Sequence, residues 1–468
     1  MLARWRESSR SDRAMLVVCI TFFSALVFAG GASRADELAQ FLIGAVSAVI
    51  LAIAASGLPL ASWRKAGAVT GFLVAAFLVI AMQLIPLPPA VWSALPGRAV
   101  FAEAIEGAGM DLRWHSLTLT PDMTIFALLS LVPAFAILAL SLRLSRQWQD
   151  ALPWILLLVM AAGVFLGVIQ AATGSPYFYR IANFDVPTGS FANRNHFALF
   201  TAMSVPLLAV WASAPGRNGQ GRPARFVIAA VGALIAAALL LLAGSRGGLL
   251  VAVVGYGAAF LIFTARTGTM GKGKMIAFGG GAMLAALALA AVFVGQSRDV
   301  TIGRIFASGE ADLRKDIYPA LWPMMSDFFP FGSGFGSFVP VYKVYEPLAT
   351  LGSRYINHAH NDVVQIVIEG GLPALVLLVV FSAWFVRQTA TVWRGFLVAA
   401  RPVSRRGTGD RPDPKIHLAR AASTLILMIG IMSLFDYPMR TPLITVTFVL
   451  AIIWLQAGSN LQNRRNPP

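Results

Sequence analysis

Apolar runs of about 20 residues recur from one end of this chain to the other, and that is the length a helix needs to cross a bilayer. Twelve are legible, at roughly 14–32, 38–56, 66–85, 122–142, 151–172, 196–214, 225–243, 247–264, 275–295, 363–386, 417–435 and 441–457. Lipid offers backbone N–H and C=O groups no water, so each run must close its own hydrogen bonds as a helix. The expected fold is an all-α integral membrane protein, one polytopic domain over residues 1–468 with about twelve transmembrane helices. Only 12% of the residues are charged, about half the share of a soluble domain. The first run is too long, and too poorly followed by a cleavage site, to read as a removable signal peptide.

The net charge of +16 invites a nucleic-acid partner, but its distribution excludes one. Lys and Arg are spread over alternate loops and form no single basic domain. With the N-terminal "MLARWRESSRSDR" in the cytoplasm, the inner loops hold Arg64 and Lys65, Arg143 and Arg146, and two triplets, Arg217, Arg222 and Arg225, and Arg266, Lys272 and Lys274. They also hold the basic residues from Arg387 to Arg420, and Arg464 and Arg465. Counted this way, 24 of the 37 Lys and Arg fall inside and 13 outside. This is the positive-inside pattern, and it predicts cytoplasmic termini. The single cysteine, Cys19, lies within the first span, so no disulfide joins the loops.

Two outer loops are long. Residues 86–121 open with "PLPPAVWSALP", and residues 296–362 form the largest extramembrane segment. Within the latter, Ile317, Leu321, Met324 and Phe328 recur at helical spacing, which predicts a short amphipathic helix on the outer membrane surface. The "FGSGFGSF" that follows lacks the flanking strand and helix of a nucleotide cradle and reads as a tight, closely packed turn. The inner segment 401–415 is polar and rich in Pro and Gly, as a linker is.

Four polar clusters fall on the outer side of this topology: "GSFANRNHFA" (189–198), "GSRGG" (244–248), "DLRKDIYPALWPMM" (312–325) and "INHAHNDVVQIVIEGGLP" (356–373). They place Arg194, Arg246, Arg314 and Lys315 where the positive-inside rule disfavours them. The last holds two of only five histidines. A helix beginning near His358 puts His358, Asp362, Gln365 and Glu369 on one face, and such a stripe must look into a bundle interior or a wet cavity. Gly370, Gly371 and Pro373 then loosen the helix. Asn361 or Asp362 as a helix N-cap, with the histidines at the interface, is the plainer alternative. For Arg194 and Arg246 two readings stand: snorkelling to lipid phosphate, or gripping a substrate phosphate. Metal chemistry has no support, since HExxH, CxxC and DxD are absent. Asp36 and Glu37 form an adjacent acidic pair at a helix start, where acidic charge is ordinary.

Together, "SFANRNHFA", "SRGG", "LRKDIYPALWPMMSDFFPFGSGFGSF" and "HAHNDVVQIVIEGGLPAL" resemble the O-antigen ligase and polysaccharide polymerase superfamily over residues 180–385. The resemblance implies a C-type glycosyltransferase fold working on the outer face of the bacterial inner membrane, with the site facing the periplasm. It implies transfer of a glycan from an undecaprenyl diphosphate carrier to an acceptor hydroxyl, without metal or other cofactor. The acceptor is the lipid A core of lipopolysaccharide for a ligase, and a growing glycan for an O-antigen or exopolysaccharide polymerase. Carried over by position, His360 is the acceptor-activating base, and Arg194, Arg246 and Arg314 bind the diphosphate. His358, Asn361, Asp362 and Glu369 complete the expected substrate-binding set. The chemistry fits independently: a leaving diphosphate without a metal needs cations, and an acceptor hydroxyl needs a base. A twelve-span transporter or lipid flippase is the rival class, but the mid-span positions are nearly free of charge and no repeat is visible.

Overall fold

The computed structural model describes residues 9–34, 37–214, 222–267, 309–348, 351, 356–399 and 413–465. Among them, ten helices are long and apolar enough to cross a membrane. In chain order the principal helices are α1 (Arg10–Ala29), α2 (Leu38–Ala55), α3 (Ala68–Ala81), α4 (Pro121–Leu129), α5 (Val132–Arg143), α6 (Leu152–Thr173) and α7 (Arg194–Ser213). They continue as α8 (Arg222–Leu242), α9 (Arg246–Thr267), α10 (Gly309–Phe328), α11 (Phe338–Tyr345), α12 (Asp362–Ala399), α13 (Pro414–Met432) and α14 (Pro442–Arg465). The protein is thus an all-helical multi-pass membrane protein. The third expected span is a shorter apolar helix, Ala68–Leu84. The fourth is interrupted at Ser130, between α4 and α5. The ninth, 275–295, and most of 401–415 lie outside the described residues.

Burial ranks the helices. In α7, 89% of the apolar window is buried, and in α13 and α14 72%, against 28% in α1 and 22% in α2. The first three form the centre, and α1 and α2 turn most of their surface to lipid. Small residues let the central helices close up, as membrane interfaces require. A Cβ on Gly255 of α9 would come within 3.2 Å of the Ala202 carbonyl of α7, and one on Gly248 would overlap Ala198.

The described parts of the two long loops pack on each other. Pro86–Leu87 pairs antiparallel with His115–Ser116. Arg98, fully buried, donates from Nη2 to the carbonyls of Leu117 (2.6 Å) and Gly332 (3.0 Å), and its guanidinium lies over the Phe328 ring. Burial pushes the Arg98 pKa down to about 10, so it stays charged at neutral pH. The apolar stripe of α10 differs from its expected place. Ile317, Leu321, Met324 and Phe328 are all buried in a separate small core with Phe338, Val341, Tyr342, Ala359 and Ile368. The period was read correctly, but the surface it covers is protein and not lipid.

α12 is broken at Gly371 (φ 60°, ψ −150°). The freed groups are taken up by the glycine-rich turn: Ser333 N–H donates to the Ile368 carbonyl and Gly334 N–H to that of Glu369, both at 2.9 Å. Leu372 N–H donates to the Pro330 carbonyl at 2.7 Å, and Gln83 Nε2 to the Glu369 carbonyl at 2.8 Å. Gly334 sits at φ 109° against Thr118, where no side chain would fit. "FGSGFGSF" is therefore a close-packing turn, and it holds the short first segment of α12 at an angle to the rest.

Candidate active site

Four segments meet at one end of the bundle: the start of α7, the loop 356–361 entering α12, the start of α9, and the turn 433–441 between α13 and α14. The start of α9 is tied in by Gly248 against Ala198 of α7 and Gly247 against Met432, the last residue of α13.

Asp436 is the centre of this cluster and is 1% exposed. Its Oδ2 accepts from the side-chain amides of Asn193 (3.2 Å) and Asn195 (2.6 Å). Its Oδ1 accepts from the Tyr437 N–H at 3.0 Å and lies 3.5 Å from His360 Nδ1. That last contact is close but falls outside hydrogen-bond geometry, since Nδ1 has no formal partner. Burial alone would raise the Asp436 pKa, but His360, His196 and the Asn195 amide outweigh it and hold the carboxyl below the usual range. It is a carboxylate at neutral pH.

His360 is the one described non-glycine residue with positive φ, at 49°. That conformation is costly for a side chain and is retained only where surroundings enforce it. Its side chain keeps 27% exposure beside a buried carboxylate. His358 packs against Tyr437 with centroids 4.2 Å apart and the rings tilted by 51°, while His360 and His196 approach the same ring at 5.2 and 5.4 Å. Burial, with Arg440 and His360 beside it, holds His358 well below the usual imidazole range, so it is neutral at pH 7. Burial and Asp436 push the Tyr437 phenol up, against the opposing effects of Asn357, Arg440 and Arg34. His196, fully buried, bonds Thr441 Oγ1 through Nδ1 at 2.9 Å, a structural histidine.

The expected polar stripe exists and faces inward: Asp362, Gln365 and Glu369 are buried. Gln365 Nε2 donates to Glu369 Oε1 (3.0 Å) and lies 3.4 Å from His358 Nδ1. The acids, however, are engaged with protein. Asp362 Oδ2 accepts from Ser433 Oγ at 3.1 Å, and Oδ1 lies 3.9 Å from Arg440 Nε. Glu369 accepts from Phe338 N–H and Gln365 through Oε1, and its Oε2 lies 3.5 Å from Arg440 Nη2. Asn361 Oδ1 accepts from Val364 N–H at 3.1 Å and caps α12. These three expected substrate ligands are thus a cap and a cradle for Arg440.

Of the expected arginines, Arg194 is the first residue of α7, flanked by the two asparagines that bind Asp436, and is half-buried. Arg246 is the exposed first residue of α9. The Arg314 side chain lies outside the described residues. Glu37 is buried, with Oε1 accepting from Ile181 N–H at 3.2 Å, so it anchors a loop. Among the described residues no three His, Cys, Asp or Glu side chains converge as metal ligands would. Sequence reasoning missed Asp436, Tyr437 and Arg440. Their signal was an acid, a phenol and a cation in the short turn between the last two spans, on the side already assigned to His360.

Fold and site together define a multi-pass membrane protein with a partly exposed histidine, a buried carboxylate and arginines at one bundle end. Residues 231–379 match the family model described as O-antigen ligase, which supports the O-antigen ligase superfamily. The match takes in Arg246, His358, His360 and Glu369, and leaves Arg194, Asp436 and Arg440 outside it. Against curated proteins the chain has no match.

Proposed function

We propose that this protein is a metal-independent membrane glycosyltransferase of the ligase type, passing a glycan from undecaprenyl diphosphate to an acceptor hydroxyl at the periplasmic face of the inner membrane. The observation that carries the reading is His360, held in a left-handed conformation with its Nδ1 edge toward buried Asp436 and its ring partly open to solvent. A carboxylate on the Nδ1 side fixes the tautomer with the proton on Nδ1 and leaves Nε2 as the acceptor. Nε2 takes the proton of the acceptor hydroxyl while that oxygen bonds the anomeric carbon and the carbon–oxygen bond to the diphosphate breaks. The electron pair leaves with the diphosphate, and the imidazolium formed is balanced by Asp436. Arg194 and Arg246, with Arg314, neutralise the departing charge. The outer-side placement rests on the alternation of basic loops.

The family description favours ligase over polymerase. The test is transfer by the purified protein from a lipid-linked glycan, with donor binding measured in parallel. Wild type should release undecaprenyl diphosphate, His360→Ala should bind donor and not transfer, and His358→Ala should retain turnover. A His360→Ala protein at near wild-type rate overturns the mechanism. In cells, a deletion that loses capped lipopolysaccharide and keeps carrier-linked polymer marks a ligase; one that leaves single repeat units marks a polymerase.

A further inference from the structure

The loop that carries His360 is fastened from behind by a side chain of the helix it enters. Gln365, in the first turn of α12, is 1% exposed. Side chains on a helix lean toward its N-terminus, so Gln365 reaches back over that turn to the loop 356–361. Its Oε1 accepts from the Ala359 N–H at 3.1 Å, six residues earlier in the chain. Its Nε2 donates to Glu369 Oε1 at 3.0 Å, one turn further along the same face, and lies 3.4 Å from His358 Nδ1. A backbone N–H needs an oxygen and a carboxylate needs an N–H, so both short contacts demand the same orientation of the amide. That orientation presents a donor to His358, which suits a neutral imidazole with no proton on Nδ1.

The partners of Gln365 are themselves fixed. Glu369 Oε1 also accepts from the Phe338 N–H at 3.2 Å, which ties it to α11. Ala359 is 3% exposed and belongs to the small core with Ile317, Phe338 and Ile368. On the other side of His360, Asn361 caps α12 and the Asp362 N–H donates to the Ser433 carbonyl at 2.8 Å. His360, at φ 49°, is bracketed by these fastenings. Strained backbone persists only where its surroundings over-determine it. Glutamine is the residue type that meets all three neighbours at once: leucine makes neither bond, lysine has no acceptor, and an ionised glutamate would face a second carboxylate.

We propose that Gln365 is a positioning residue for the transfer, keeping the loop, through the Ala359 peptide, in the left-handed turn that sets His360 beside Asp436. The inference rests on the reaction proposed above and adds to it a residue that touches neither donor nor acceptor. Its effect falls on the placing of the base and not on the grip of the diphosphate.

The test uses the full chain in nanodiscs and reads kcat for transfer from a lipid-linked glycan, affinity for undecaprenyl diphosphate, and Tm. Gln365→Met keeps the length of the side chain and makes neither bond. Its kcat should fall about 10- to 100-fold, as misplacing a reacting group does, with affinity within a few-fold of wild type. Gln365→Asn, one methylene short of Ala359, should show the same split and carries the test if the methionine variant does not fold. Gln365→Glu keeps the acceptor for the Ala359 N–H and, sharing one proton with Glu369, regains the donor as well. Its kcat should therefore stand above that of Gln365→Met, most clearly toward acidic pH, whatever the order of their Tm values. Wild-type kcat in the methionine or asparagine variant overturns the proposal. So does an equal loss of affinity and kcat, or a glutamate variant no better than methionine at any pH. If the proposal fails while His360→Ala still blocks transfer, the base assignment stands without this support; if His360→Ala transfers normally, the reaction itself was misread.

Discussion

Asp436 Oδ1 and His360 Nδ1 lie 3.5 Å apart, one in the turn before the last helix and the other in the loop entering α12. Neither segment could place this pair alone. The asparagines on either side of Arg194 hold the carboxylate by hydrogen bonds, so the proposed base, the acid beside it and one expected phosphate ligand are gathered in one place.

Asp436→Asn keeps the shape and removes the charge that balances an imidazolium. The kcat should fall about 10²–10⁴-fold with donor affinity within a few-fold of wild type, because proton transfer is lost and the arginines are not. Equal loss of binding and turnover would show that Asp436 is a fold residue only.

Arg194 and Arg246 discriminate between lipid snorkelling and phosphate binding by the lysine test. A planar fork on a diphosphate is not replaced by a point charge, so Arg→Lys should lose activity about 10- to 100-fold, nearly as much as Arg→Ala. Full activity of both lysine variants at normal protein levels would reject the binding role.

His358 gives the fold a pH dependence. Its folded pKa lies below the unfolded value of about 6.5, so above that pH both states are neutral and the residue costs nothing. As pH falls through about 6.5, the unfolded chain takes up a proton that the folded site refuses, and stability declines until the lower folded pKa is reached. Thermal unfolding in detergent between pH 7.5 and 5.5 should show a falling Tm for wild type and a flatter profile for His358→Gln. An unchanged slope in the variant would assign the dependence to other groups.

Orientation is open to thiol labelling, helped by Cys19 being the single cysteine and fully buried. Leu348→Cys, at an 86% exposed position, should react with a membrane-impermeant reagent in cells with a permeable outer membrane. Lys65→Cys, also exposed, should react only after lysis. The reverse pattern would invert the topology and move the site to the cytoplasm.

Hydropathy made most of the spans legible, because a bilayer demands a long apolar run whatever its neighbours are. It did not separate a continuous span from the one interrupted at Ser130, where Pro133 brings no N–H to the Leu129 carbonyl. The period of Ile317, Leu321, Met324 and Phe328 predicted an amphipathic helix, but period says nothing of what covers the apolar face, and α11 and the His358–Ile368 stretch do so. In the site, His360 was legible as an ionisable residue at a span mouth. Asp436 was not, since a single carboxylate in a short turn has no spacing of its own, and its burial depends on two asparagines far away in the chain. Asp362 and Glu369 were placed on an inward face, but the ion pairs that they make with Arg440 could not be read, because Arg440 lay in that same unremarked turn.

The turn 433–441 has a consequence for how the protein is made. It carries Asp436, Tyr437 and Arg440, and it takes its place only when α13 and α14 are threaded beside α7. A nascent chain with every earlier helix in the bilayer therefore has the histidine and the glycine-rich turn but no counter-charge for either His360 or the acids of α12. Under the reaction proposed above, a chain lacking these two helices would hold His360 without its carboxylate, and competence for transfer would depend on the C-terminal pair of helices.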